Sequence, residues 1–351
     1  MTTAHNIYIH VPFCMSKCNY CAFFSRACAS PDWETYTNGI LNEIDFWADK
    51  MGRFSVPTIF FGGGTPSLMP TQYFARIMEH LRTRFDVIKN AEITLESNPG
   101  TLNALRLDDF IANGINRLSI GIQSLNDDEL VFLGRRHSVH DALALLDVAQ
   151  SRHIRVSADF IYGLPNHNAK TVEKLCDNIN HLGLHHCSMY ELTIEPNTPF
   201  GKMNLQMPTN NDMADMYISI TNTLNMTRYE VSNYATIGYE CQHNQNVWDG
   251  DAYIGLGTGA AGRVFMNGIW YEQMGGGAKF DAMSNDARAV EKIITGMRTM
   301  RGVLLAKDVK NVLNMEYATE HPEYISIDGD RMHATEHGLM ILDDLLVNLI
   351  K

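Results

Sequence analysis

No apolar run in this chain approaches the ~18–20 residues that a membrane-spanning helix needs. The longest candidate, Leu339 to Ile350, is interrupted by Asp343, Asp344 and Asn348. A spanning protein is set aside, and only a peripheral membrane contact is left open. Charged residues are sparse at 19%, yet apolar ones reach 45%, a balance that excludes disorder as the main state. No Asp or Glu precedes Asp32, and Lys17 and Arg26 are the only basic residues there. An Arg-rich amphipathic pattern and an apolar signal core are both missing, so the segment reads as mature protein and the compartment as cytoplasmic. Excess positive charge is missing too. The chain carries 28 Lys and Arg against 40 Asp and Glu, net −12, which speaks against nucleic-acid binding through its general field.

A disulfide framework is also absent from the pattern. The seven cysteines are odd in number, and three of them, Cys14, Cys18 and Cys21, fall within one short segment. That clustering is a metal or redox signature. At ~150 residues per domain, 351 residues predict two domains, or one large domain with an extension.

Strand and helix signals alternate. Short apolar runs lie at Ile7–Val11, Thr58–Phe61, Glu92–Leu95, Arg117–Ile122, Arg155–Ile161 and Cys187–Leu192. Helical patterns follow each: from Ser30, with Pro31 at the first helical position, to Lys50, then Thr71–Arg84, Asn103–Ala112, Asp127–Gln150, Lys170–His181 and Asp212–Met226. Six βα units in a row predict parallel strands with right-handed crossovers. Unusual residues close almost every strand, such as Gly62-Gly63-Gly64-Thr65-Pro66 and Glu96-Ser97-Asn98-Pro99. Chemistry after every strand favours a (β/α)6 barrel-like array over an open sheet, whose ligands gather at one switch point. After residue 230 glycine becomes dense and the pattern shifts, so the boundary is drawn there: 1–230 for the βα array and 231–351 for a smaller α+β unit.

Cys14, Cys18 and Cys21 follow the first strand directly, where three thiolates can converge on a soft metal centre. Two readings stand side by side. One is zinc, with a fourth ligand from His10, Cys28 or elsewhere. The other is a 4Fe–4S cluster with three protein ligands and one open iron. Glu96 ends an apolar strand, where a buried carboxylate needs a partner; a ribose hydroxyl or an arginine would serve. His243 lies in the Gly-rich part and is an imidazole of the kind that ligates haem iron, with Cys241 as a competing soft ligand.

The CxxxCxxC loop after a first strand and the Gly-Gly-Gly-Thr-Pro loop after the second resemble the radical S-adenosylmethionine (SAM) superfamily. The stretches IYIHVPFC, FFGGGTPS, ESNPG, GIQS, LGRRH and DFIYGLP resemble its oxygen-independent coproporphyrinogen oxidase group. Catalytic members of that group carry a fourth cysteine two residues after the third; here the position is Phe23. The Phe variant and the stretch His243-Asn244-Gln245-Asn246-Val247-Trp248 are similar to the HemW-type haem-chaperone branch, although Val247 and Ala261 depart from its pattern. The resemblance implies a (β/α)6 partial barrel of α/β class. It implies a 4Fe–4S cluster on Cys14, Cys18 and Cys21, SAM chelated to the open iron, and haem at His243. Tyr8, Gly63, Gly64, Thr65, Glu96, Gln123, Arg135 and Asp159 would contact SAM. Partners would be haem, a haem-acceptor protein and an electron donor. The alternative is a radical SAM enzyme acting on a tetrapyrrole in porphyrin metabolism, and Phe23 leaves the enzymatic question open.

Overall fold

The structure is a computed structural model that describes residues 4–351. Six strands form its centre: β1 (Asn6–Val11), β2 (Ser55–Gly63), β3 (Asp86–Ser97), β4 (Arg117–Gln123), β5 (Arg155–Tyr162) and β6 (His186–Glu191). They lie side by side in chain order and all pair in parallel. The expected apolar runs are the inner parts of these strands, and in β4 every residue is buried. Burial on both faces is what makes a parallel strand read as an unbroken apolar run.

Helices α1 (Trp33–Met51), α2 (Thr71–Arg84), α3 (Ala104–Ala112), α4 (Asp127–Phe132), α5 (Val139–Gln150), α6 (Ala169–Asn180) and α7 (Asn210–Thr223) connect or follow the strands. Two differ from expectation. Asp32, not Ser30, caps α1: its carboxylate accepts from the Thr35 amide at 3.0 Å and the Thr35 hydroxyl at 2.7 Å. A carboxylate that satisfies two donors makes a better cap than a hydroxyl two residues too early. The helical stretch 127–150 is two helices, interrupted where Gly134 takes a left-handed φ of 74°. That break delivers Arg135 to the ends of the strands.

The sheet continues past residue 230. Strand β8 (Asn233–Ala235) pairs antiparallel with β6, and β7 (Thr227–Arg228) pairs antiparallel with β8 at the edge. After α8 (Gln242–Trp248), β9 (Tyr253–Leu256) pairs parallel with β1, and β10 (Gly262–Met266), β11 (Ile269–Gln273) and β12 (Phe280–Ala282) extend that side. The order is β12-β11-β10-β9-β1-β2-β3-β4-β5-β6-β8-β7. No pairing among the described residues joins its two ends, so the array is a partial barrel. The expected boundary at 230 falls inside this one sheet, and a separate apolar core, built from Ala289, Ile293, Leu313, Met332 and Leu349 among others, begins only after it. The expected terminal helix 335–350 is broken at Ile341 into Glu336–Met340 and Leu342–Leu349.

Candidate functional site

The carboxyl ends of β1 to β6 and the loops after them line a cavity of about 450 Å³. Its wall includes Cys14, Cys18, Cys21, Gly63, Gly64, Thr65, Glu96, Gln123, Arg135 and Asp159. Of the residues that the resemblance assigns to the cluster, SAM and haem, Tyr8 and His243 lie elsewhere, as do the alternative ligands His10, Cys28 and Cys241. The three cysteines are half-buried free thiols. No three His, Cys, Asp or Glu side chains among the described residues close on a single metal ion. A 4Fe–4S cluster makes a different demand, since its thiolates bind separate irons.

Glycine is required where the β2 loop meets the cysteines. A Cβ on Gly64 would stand 2.7 Å from the Phe13 carbonyl oxygen and 3.0 Å from Cys14 Sγ. Gly63 has a φ of 111°, and a Cβ there would strike the His10 ring at 2.6 Å. The Gly63 amide donates to Glu96 Oε2 at 3.0 Å. Thr65 Oγ1 accepts from Asn98 Nδ2 at 3.0 Å. Bare backbone beside three thiols is a cradle into which a compact cofactor can come close.

Glu96 and Asp159 stand on neighbouring walls, both enclosed. Burial pushes the Glu96 carboxyl up to about 7, and the nearby Asp159 charge adds to the rise; the Gly63 amide and Arg117 oppose it. Burial also raises Asp159, which Ser188 Oγ (2.8 Å) and Ser119 Oγ (3.2 Å) hold by donating to it. Gln123 ends β4 with a φ of 74°, beside an irregular register against β5. A non-glycine residue in that region is strained, and such strain concentrates at functional sites. The nearby Gly121 leaves room for it: a Cβ there would lie 2.8 Å from Gln123 Nε2 and 2.9 Å from Asn98 Oδ1.

Arg135 reaches in from the break between α4 and α5. Nη2 donates to the Gly121 carbonyl at 2.8 Å and to Asn98 Oδ1, and Nη1 donates to Cys18 Sγ at 3.3 Å. The sequence gives Arg135 by resemblance as a SAM contact, but its link to the cysteine loop was not visible there. The sequence motifs assign no role to Asn98, Ser119, Ser188, Tyr20 or Tyr190, all of which line or support the cavity. The one available signal was that Asn98 lies in the ESNPG stretch at a strand end.

Tyr8 and His243 line a second cavity of about 290 Å³ in the barrel interior, which shares Glu96, Ser119, Asp159 and Tyr190 with the first. Tyr8 OH bonds His10 Nδ1 at 2.9 Å, and His10 Nε2 lies 2.7 Å from the Phe24 carbonyl. Because a carbonyl only accepts, His10 carries its proton on Nε2 and takes the Tyr8 hydroxyl hydrogen on Nδ1. His243 is 5% exposed. Its Nδ1 is 2.7 Å from Thr58 Oγ1, and its ring packs 5.2 Å from that of Phe60. Burial, reinforced by Arg117, pushes its pKa down to about 3, so the imidazole is neutral. A macrocycle that used His243 would have to enter a volume at the lower edge of the ~300–1,000 Å³ typical of ligand pockets.

Comparison with known proteins agrees with this geometry. The radical SAM superfamily profile matches residues 8–179. The solved structure of the radical SAM coproporphyrinogen III oxidase HemN of Escherichia coli superposes with a TM-score of 0.79 at 19% identity, covering 98% of this chain and 89% of that one. The fold is therefore the radical SAM partial barrel. The chain is 31% identical to the heme chaperone HemW of Haemophilus influenzae over 97% of its own length and 96% of the relative. It is 39% identical to the Escherichia coli HemW over 74% and 70%. It belongs to the HemW family of the radical SAM superfamily. Membership implies a 4Fe–4S cluster and SAM, and the thiols, glycine cradle and buried polar groups around the larger cavity fit both.

Proposed function

We propose that the chain is a haem chaperone that holds a 4Fe–4S cluster on Cys14, Cys18 and Cys21, binds SAM beside it, and passes haem to an acceptor protein. The observation that carries the haem reading is the nearly end-to-end likeness to a heme chaperone. Phe23, 71% exposed where catalytic relatives are expected to have a fourth cysteine, supports it over the enzymatic alternative. What the cofactor pair supplies when bound is one-electron cleavage of a sulfonium bond.

The chain's own residues position and shield that pair. Gly63, Gly64 and Thr65 offer backbone to the amino end of SAM. Glu96 has one oxygen on the Gly63 amide and one left for a ribose hydroxyl. Arg135 lines the cavity, where a carboxylate would take Nη2 in place of Asn98 or Gly121 while Nη1 stays on Cys18. Asp159 and Gln123 close the adenosyl side. Residues 1–230 are proposed as the cofactor-binding unit and 231–351 as the accessory unit, in the cytoplasm.

The test uses anaerobically reconstituted protein, titrated with haem and then mixed with an apo-haemoprotein. Haem should bind and then appear in the acceptor. Turnover of coproporphyrinogen III under reducing conditions, with no haem transfer, would favour the enzymatic alternative.

Glu96 gives a pH-dependent expectation. In the free protein its carboxyl takes up a proton near pH 7. Ribose hydroxyls and the SAM cation favour the carboxylate, so binding below pH 7 must expel that proton. SAM affinity should drop about tenfold from pH 8 to pH 6, if binding lowers the pKa by about two units. Calorimetry checks this, with Glu96→Gln as control: the variant should bind weakly and lose the pH dependence. An equal slope in both proteins would remove Glu96 from the contact.

A further inference from the structure

Between α1, the cysteine loop and Gly257–Thr258 lies a cleft of about 680 Å³ whose lining holds none of the three loop cysteines or proposed SAM contacts and shares Ala22 and Phe23 with the cluster cavity. Its walls are mainly apolar: Pro12, Phe13, Phe24, Tyr36 and Ile40. At its mouth stand Phe23 and Phe24, consecutive residues 71% and 58% exposed. Two neighbouring aromatic side chains left in water are a contact surface in search of a flat apolar partner.

The rim has a charge preference. Lys17 and Arg26 line it, and they belong to the stretch before Asp32 that holds no Asp or Glu, in a chain of net −12. The Arg26 guanidinium lies 5.2 Å over the Phe13 ring and makes no hydrogen bond or ion pair among the described residues. Lys17 Nζ donates to the carbonyls of Phe23 (2.9 Å) and Ser25 (3.3 Å), which tethers the Phe pair under a positive charge. The two acids on the wall are already engaged. Asp32 accepts from the Thr35 amide and hydroxyl, and Glu43 accepts from the amides of Gly257 and Gly277, each at 2.9 Å. These bonds hold the two carboxylates in place without cancelling their charge, so the preference for an anion is confined to the edge where Arg26 and Lys17 stand.

The cleft has no iron ligand. No His, Cys or Met lines it, and the Tyr36 hydroxyl donates to the His10 carbonyl at 2.8 Å. A planar ring with carboxylates could be held by its faces and its acids, but not through a metal.

We propose that this cleft docks the tetrapyrrole by stacking on Phe23 and Phe24 and by pairing its carboxylates with Arg26 and Lys17, independently of the iron. The proposal rests on the haem-chaperone reading and deepens it by naming the surface and the kind of recognition. The ring would lie over the two residues that follow Cys21 and its neighbour Ala22, and so against the cluster loop itself.

Gly39 offers a clean block. It lies on α1, lines the cleft, and a Cβ there meets nothing within 4 Å. Gly39→Leu fills the cleft from the helix side while removing a poor helix former. Reconstituted full-length protein is titrated, by fluorescence, with metal-free protoporphyrin IX, its iron(III) complex and its dimethyl ester. The metal-free and iron forms should bind within about threefold of each other, and the ester at least about tenfold more weakly. Phe24→Ala, Phe23→Ala and Gly39→Leu should each weaken both acid forms about tenfold or more, with iron and sulfide content unchanged. Tight haem binding that all three variants leave intact would overturn the docking site while the haem reading survives. Binding of the iron form alone would overturn it in favour of ligation, with His243 the first candidate. If no form binds to the parent protein, both the site and the haem reading fall.

Discussion

Replacing any one of Cys14, Cys18 or Cys21 with alanine should strip the protein of its cluster. The reconstituted parent should hold about four irons and matching sulfide per chain, and each variant should fall to background. The argument is geometric. The three thiols open on one cavity, and each would hold a different iron, so no neighbour can cover for a lost one. Cys176, Cys187 and Cys241 are controls with the opposite expectation. They are buried, and burial pushes the Cys176 and Cys241 thiols up to about 12 and that of Cys187 up as well. Inert thiols of this kind fill space and bind no metal. Their alanine variants should keep full iron. Stoichiometric zinc without sulfide in the parent would sink the reading of the loop as a cluster site.

The second large effect is on stability. Glu92, 3% exposed, lies at the foot of the barrel and gathers four donors. Arg155 Nη1 is at 3.0 Å, the amides of Gln242 and His243 at 3.2 and 3.0 Å, and Cys241 Sγ at 3.7 Å. Two of the four are unsatisfied amides at the start of α8, where a carboxylate is favoured. Glu92→Ala would leave these amides and the arginine without their acceptor. Breaking a buried pair costs about 3–5 kcal/mol, and the 27% exposure of Arg155 puts this one at the low end, about 3 kcal/mol. Urea unfolding should show the loss as a lower midpoint at an unchanged slope. A change below about 0.5 kcal/mol would mean that Glu92 does not anchor α8.

The sequence shows some of these arrangements and hides others, for identifiable reasons. The six parallel strands are legible because double-sided burial writes each as an apolar run. The larger cavity is legible because its residues sit at strand ends, each beside a recognisable short motif. His243 is different. Its seven-residue helix is too short to show periodicity, and its contacts Thr58 and Glu92 lie 185 and 151 positions away. Nothing local distinguishes an interior histidine of that kind from one in an exposed Gly-rich loop. The hydrogen bond from Arg135 to Cys18 spans 117 positions and depends on the turn at Gly134, which reads only as a gap in a helix. Strands β9 to β12 are three to five residues long, and β9 finds β1 across most of the chain.

That last pairing bears on how the protein is made. The strand leading into the cysteine loop is synthesised well before one of its two partners, so that flank stays bare until Tyr253–Leu256 has been made. During that interval β1 is an open template for stray strands, and the loop behind it has only half its support. Iron loading is therefore expected only once Tyr253–Leu256 is in place beside β1. A chain stopped just before Tyr253 should aggregate and fail to take up the cluster, even though all three cysteines and the whole SAM cavity are already present in it.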